Sequence, residues 1–538
     1  MLLHPVDLAI IVIYLTSCVI AGVWMKRYVR GVEDFAVAGR EMDLNLGVAS
    51  LAATEVGIVT VMYAAQMGFE HGLAGAAPGV FGCLAMLLVG LTGFVIVPLR
   101  KAGVITIPEL FEKKFGKRVR WLAGVVVILG GLLNMGIFLR MGGEFLSRAV
   151  GLNPNETISL FGTELGLLEV AMTALLGLIL LYTVLGGMVS VLVTDYLQFL
   201  VMGMGIVAVS ALVIYHTGWS NLINGLERAH EETVAITAQP APGAVDTQAK
   251  VPEPITMKDP FNPAKSKGWG WVIWQALLQI AIMTTWQTTI ARVLAARDVA
   301  TAKRVYVRTS FYFVGRFGLP GLWGAAAFLY FANLGSLPPG TDSLTALPEY
   351  LRVVLPVGVI GIVFAAMLAA EMSTDSGYML TWATVIYNDI ISPCLRRPLP
   401  EKMRLTVVRM LVLAIGVFLV FYGLWYELPG GAWDYLAVTG NIYMASLFTL
   451  LVGALYWKGS NSWGATAAII LGASGPLAFL VLNYLARKEF VSKEWELSPE
   501  LAGGLSFLMA FGGMFFGSVL AKALGRGYVP SAAAEEAR

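Results

Sequence analysis

Charge is scarce in this chain. Asp, Glu, Lys and Arg make up 13% of its 538 residues, against 57% hydrophobic residues, too few to solvate the surface of a soluble fold of this size. Cysteine is scarcer still: Cys18, Cys83 and Cys394 stand at spacings that suit neither a disulfide framework nor a metal site. Four histidines, widely separated, argue in the same way against a metalloenzyme. The net charge of +2 is too small to imply a nucleic-acid partner, and no phosphate-cradling glycine-rich motif is present, which argues against nucleotide-driven work.

What the chain has in excess is long apolar runs, with a mean hydropathy of +0.73. A bilayer core of about 30 Å needs about 20 apolar helical residues. A membrane barrel would show short alternating segments instead. Thirteen candidate spans fall near 6–26, 44–69, 74–98, 119–149, 164–186, 188–216, 270–296, 305–332, 356–387, 404–424, 433–457, 462–485 and 501–523. The expectation is an all-α polytopic membrane protein with about 13 transmembrane helices, whose first helix lacks a signal peptide's positive flank and is retained.

Basic clusters at 26–30, 100–120, 296–308 and 394–404 share one side when thirteen spans are threaded. That side is the cytoplasm by the positive-inside bias, so the N-terminus is expected outside and the C-terminus inside a plasma membrane. The basic residues of 486–496 fall on the other side, accompanied by acidic ones. The polar, Pro- and Ala-rich stretch 218–268 reads as a partly disordered external loop, and the tail "VPSAAAEEAR" as unstructured.

The polar residues inside these spans carry the functional question. "LAAEMSTDSGYMLTWATVIYNDI" (368–390) continues an apolar run yet contains Glu371, Ser373, Thr374, Asp375 and Ser376. Glu55, Asp195 and Arg316 stand inside other spans. An ionisable group at mid-bilayer costs about 2.5–3.5 kcal/mol on the insertion scale and commonly marks a pathway. Arg140, Glu144 and Arg409 read better as pairing or snorkelling near helix ends. In a helix, Ala370, Ser373 and Thr374 share one face, and uncharged oxygens suit a small hard cation that must also leave. A partner helix would have to open to lend its carbonyls. "SLAATEVGIVTV", with β-branched residues, Gly57 and Glu55, is where such an opening is expected. The alternative, hydroxyls bonding back to their own helix or packing between helices, stands beside it.

At these residues the chain resembles the sodium:solute symporter family, to which sodium/glucose and sodium/proline symporters belong. The resemblance runs from about Asp34 to Gly464 through "DFAVAGREM", "VITIPELFEKKFGKRVR", "TVLGGMVSVLVTDYLQF", "IARVLAARDVATAKR", "AAEMSTDS" and "GALYWKGSNSWGA", in that order. It implies a LeuT-type fold, with two inverted five-helix repeats, one extra helix before and two after. Residues 1–43 would hold the extra helix and a cytoplasmic loop, and 44–216 the first repeat. An external loop (217–269), the second repeat (270–485) and the last transmembrane helix with a cytoplasmic tail (486–538) would follow.

The family's principal sodium site, carried over, falls on the backbone carbonyls of Ala53, Val56 and Ala370 and the hydroxyls of Ser373 and Thr374. A second sodium, or a release path, would use Asp195, Ser373 and Ser376, but Gly377 stands where a further hydroxyl belongs. The resemblance puts the solute pocket near Glu55, Gln66, Gln279, Ile282, Trp286, Gln287, Arg316 and Asn441. Glu55 would neutralise the ion, contact the solute or, as a buried carboxyl without a partner, carry a proton.

The expected function is therefore a sodium-coupled symporter importing a small organic solute by alternating access, without enzyme activity. No nucleic acid and no obligatory protein partner is implied beside sodium, solute and the lipid bilayer. A carboxylate or amino acid ranks first, because the Arg316 fork would grip a carboxylate and Ile282 replaces the aromatic gate of sugar carriers; if Arg316 pairs with Glu371 or Asp375 it is structural. A sugar or polyol, or proton coupling on the same fold, is the alternative. A channel would need a continuous polar pore, whereas these polar residues cluster at one depth. An enzyme or sensor would need a catalytic set or an appended domain.

Overall fold

The computed structural model describes residues 4–29, 31–151, 157–160, 163–237, 254–425 and 431–526. Helix occupies each of the thirteen expected spans. Ten helical stretches among the described residues, counted across their kinks, are long and apolar enough to cross a bilayer. The chain is a multi-pass membrane protein, and the exposed Leu8, Val12, Ile13, Leu508 and Phe516 belong to a surface for which lipid, not water, is the solvent.

The first helix, α1 (Pro5–Trp24), starts on His4, whose ring accepts from the Val6 amide at 3.3 Å. Then come α2 (Leu44–Glu55), α3 (Ile58–His71) and α4 (Ala77–Thr92). Helices α5 (Lys117–Met135) and α6 (Phe138–Ala149) precede α7 (Leu167–Thr217). Gly187 turns α7 upon itself with φ 53° and ψ −144°, dividing two spans where the sequence divides them. A β-carbon there would meet the Phe35 carbonyl oxygen at 2.6 Å, so only glycine supplies both the torsion and the room.

The second half repeats the pattern. Helices α8 (Trp269–Thr285) and α9 (Gln287–Ala295) are separated by Trp286, whose ψ of 109° is extended. Helix α10 (Val299–Leu334) is capped by Asp298, which accepts from the Thr301 amide at 2.7 Å. Its Pro320 has no amide hydrogen to offer the Arg316 carbonyl. After α11 (Val359–Val385) come α12 (Glu401–Trp425), α13 (Ala432–Tyr456), α14 (Ser462–Arg487) and α15 (Pro499–Ala523).

Every residue of α11 from Ala365 to Val385 is buried. A helix buried on all sides has no lipid face to keep apolar, which explains why the polar run of 371–376 is tolerated there. Helices α3 and α10 touch backbone to backbone: β-carbons at Gly68 and Gly324 would collide with the carbonyls of Gly321 and Ala65. Small residues at such a contact replace the hydrophobic drive that lipid removes.

The stretch expected as a loose external loop is partly built. Helix Trp219–Glu231 buries Leu222, Leu226 and Ala229, one stripe at helical spacing. Ala235–Ile236 pairs with Ile255–Thr256, and a short helix, Pro263–Lys267, is capped by Asn262. Residues 238–253 and the tail beyond 526 lie outside the described residues.

Candidate functional site

The site begins where α2 stops. Val56 (φ −117°, ψ 80°) and Gly57 (ψ 170°) leave helical space before α3 resumes. The last carbonyls of α2 thereby lose their regular amide partners: the Ala53 oxygen accepts from the Val56 amide at 3.2 Å, and the Thr54 oxygen from the Thr374 hydroxyl at 3.2 Å. A β-carbon on Gly57 would stand 2.8 Å from that hydroxyl, so the glycine admits α11 to the break. One residue earlier, the Ser373 hydroxyl lies 3.4 Å from that of Thr54 and donates to Asp195 Oδ1 at 2.6 Å. Both hydroxyl protons are thus directed away, and each oxygen keeps lone pairs for another partner. The expected break and the expected helical face meet.

Beneath this lies a closed ionic knot. Asp195, on the second limb of α7, also accepts from Ser50 at 2.5 Å and Thr54 at 3.3 Å. Arg292 on α9 faces it with Nη2 3.4 Å from Oδ2, both side chains wholly buried. Its other donors reach Ser50, Thr54 and the Thr288 carbonyl at 3.2, 2.6 and 3.0 Å. Sequence reading missed Arg292. The signal was a lone arginine inside the apolar stretch before the basic cluster at 296–308. Ser376 bonds back to the Ser373 carbonyl at 3.2 Å.

Beyond the break is a cavity of about 60 Å³. Glu55, Gln279, Ile282, Trp286 and Arg316 line it, as expected for a pocket, together with Tyr63, Tyr378 and Trp433, which sequence reading did not single out. Glu55 Oε1 accepts from Thr289 at 2.7 Å and Oε2 from Arg316 at 2.9 Å. The other arm of Arg316 donates to the Tyr63 hydroxyl at 3.1 Å. Trp286 stacks on Tyr443 at 6.0 Å and stands edge-on to Tyr378 and Trp382, which fixes its ring as a wall.

Three expected pocket residues do other work. Gln66 accepts from the Ala432 amide at 3.3 Å and donates to Glu70 and Ser343, tying α3 to the start of α13 and to the turn after α10. Gln287 accepts from the Ile107 amide at 3.2 Å and caps the short helix Ile107–Phe115. Asn441 donates to the Gly503 carbonyl at 3.0 Å on α15. Each of the three amides bonds a neighbouring segment.

Arg316 pairs with neither Glu371 nor Asp375. Both carboxylates are buried on α11; Glu371 Oε1 and both Asp375 oxygens have no hydrogen-bond partner among the described residues. Arg140 pairs with Glu144 at 3.1 Å, and Arg409 donates to the Leu185 carbonyl at 3.1 Å, the pairing roles expected of them. The three cysteines are free.

Two discontinuous helices meeting a polar one that is buried from Ala365 to Val385 make up the LeuT-type fold. A substrate-bound, outward-open Na+-coupled sialic acid symporter superposes with a TM-score of 0.78 over 98% of this chain and 99% of its own, at 18% identity. At that identity the likeness speaks for the fold.

The chain belongs to the sodium:solute symporter family, whose model matches residues 35–472. Sodium/glucose cotransporter 4 of Mus musculus is 26% identical over 520 residues, 90% of this chain and 70% of that one. A sodium/glucose cotransporter of Vibrio parahaemolyticus is 28% identical over 503 residues, 88% and 85% of the two chains. Na+ is the coupling ion.

Proposed function

We propose that this symporter imports a small, neutral, hydroxylated solute with Na+ by alternating access. The proposed sodium ligands are the carbonyls of Ala53, Val56 and Ala370 and the hydroxyls of Ser373 and Thr374. One observation carries the ion site: the Thr374 hydroxyl reaches the opened end of α2 at 3.2 Å. Sodium bound there would tie α2 to α11, and by linkage whatever conformation it favours gains affinity for the solute. The two inverted repeats lie within residues 44–216 and 270–485, each opening on a broken helix, with the N-terminus outside the plasma membrane and the C-terminus in the cytoplasm.

The solute class follows from the cavity. The Arg316 charge is already answered by Glu55 at 2.9 Å, which removes the reason for ranking a carboxylate first. Both Glu55 oxygens accept hydrogen bonds, so the premise of an unpartnered proton carrier goes as well. What faces the cavity is aromatic wall and amide, Trp286, Tyr378, Trp433 and Gln279; rings stack on the apolar faces of a sugar or polyol and amides bond its hydroxyls. Sodium/glucose cotransporters among the relatives support the same class.

The experiment is a thermal-shift screen of purified protein against hexoses, polyols, monocarboxylates and amino acids, in Na+ and in K+. Stabilisation by a neutral polyhydroxyl compound, in Na+ only, is expected. A shift confined to carboxylates would overturn the solute class, and one equal in K+ would overturn the ion site.

A further inference from the structure

Family resemblance allows a second sodium beside Asp195, and the residues present do not fit it. The Asp195 carboxylate already receives Ser50, Thr54, Ser373 and the Arg292 guanidinium. The cationic position is taken: Arg292 and Asp195 are both 0% exposed and 3.4 Å apart, one positive charge for one negative. A sodium ion added there would be a second cation in a space closed to bulk solvent, and buried charges persist when paired one to one. The hydroxyl next in line, Ser376, is turned to its own helix at 3.2 Å.

Gly377 completes the argument. It departs from the hydroxyl residue that a second site would use, and a β-carbon at that position would stand 2.9 Å from Arg292 Nη2 and 3.0 Å from Thr54 Cγ2. The room that a serine or threonine would fill on α11 is the room in which the guanidinium lies. The missing hydroxyl on α11 and the guanidinium from α9 meet in one space.

We infer that Arg292 is a built-in cation standing in the second cation position, so that this chain binds a single Na+ per cycle. Arg292 is also a positioning residue for that ion. It holds Asp195, and Asp195 accepts the hydrogen bond that the Ser373 hydroxyl donates at 2.6 Å, which leaves lone pairs of the Ser373 oxygen to face sodium. The inference rests on the sodium site proposed above.

The test is equilibrium 22Na+ binding to the purified full chain in a potassium background, with monodispersity checked for each variant. The wild type is expected to bind one ion with a Hill slope of one. Arg292→Gln is expected to bind two at saturation, and the second ion is expected to vanish in Arg292→Gln/Asp195→Asn. Arg292→Lys, which keeps the charge, is expected to bind one. Two ions in the wild type, or one in a folded Arg292→Gln protein, would overturn the inference and leave the principal site standing. If Arg292→Gln does not fold, the wild-type and Arg292→Lys counts decide, and two ions in either overturns it. Saturable binding of one ion that survives Ser373→Ala/Thr374→Ala would instead overturn the sodium-site reading and this inference with it.

Discussion

Arg316 on α10 and Glu55 at the end of α2 meet at 2.9 Å across 261 residues of sequence. The pair closes one side of the cavity, and Tyr63 takes the second arm of the arginine. Removing one partner of a buried pair strands the other charge, at about 3–5 kcal/mol. Glu55→Ala and Arg316→Ala should each lower the melting temperature in detergent sharply. Glu55→Ala/Arg316→Ala should recover part of that loss, and the double-mutant cycle with the two single variants measures the coupling. Strictly additive effects would mean that the pair is incidental.

Ser373→Ala/Thr374→Ala should lower the potassium-background melting temperature by two lost hydrogen bonds, at about 1 kcal/mol each, while deleting stabilisation by sodium altogether. At a sodium concentration 100-fold above Kd that stabilisation is about 2.7 kcal/mol. Thermal unfolding across a sodium titration is the measurement. An undiminished sodium effect would place the ion elsewhere.

Gly57→Ala puts a β-carbon 2.8 Å from the Thr374 hydroxyl. Overpacking of this kind costs about 1–3 kcal/mol, and here it falls between two proposed ligand segments. Sodium affinity should drop at least about tenfold, the equivalent of about 1.4 kcal/mol. 22Na+ binding reads it directly.

Gly187→Ala tests the turn between two spans. The residue sits at φ 53°, and its β-carbon would press on Phe35, so strain and overlap add to more than about 1–3 kcal/mol. Reduced yield of monodisperse protein and a lower melting temperature are expected, with sodium affinity per folded molecule little changed.

Gln66→Ala should loosen the junction of α3 with the start of α13 and with the turn after α10. It removes the acceptor of the Ala432 amide and the donor to Ser343, each worth about 1 kcal/mol. Hydrogen exchange should quicken in peptides covering 341–345 and 431–435, with 106–115 unchanged.

Much of the architecture was legible because lipid is an exacting solvent: a chain that cannot bond its backbone to water must announce each crossing as a long apolar run. The opening at Val56–Gly57 was legible for a local reason, β-branched residues beside a glycine, and the Ala370, Ser373, Thr374 face followed from helical spacing. Gln66, Gln287 and Asn441 were misplaced because an amide declares only that it needs partners. Whether those are solute or neighbouring helix depends on which segments adjoin.

The membrane class, the location of the helices, the break in α2–α3 and the oxygen-rich face of α11 depend on composition or on spacing within a few residues, and so could be read along the chain. How the buried charges are shared depends on packing: Arg316 with Glu55, Arg292 with Asp195, and no hydrogen-bond partner for Asp375 among the described residues. A charge inside a membrane must find its counterpart through space, and the spans that bring 55 beside 316 and 195 beside 292 become neighbours only when the helices pack.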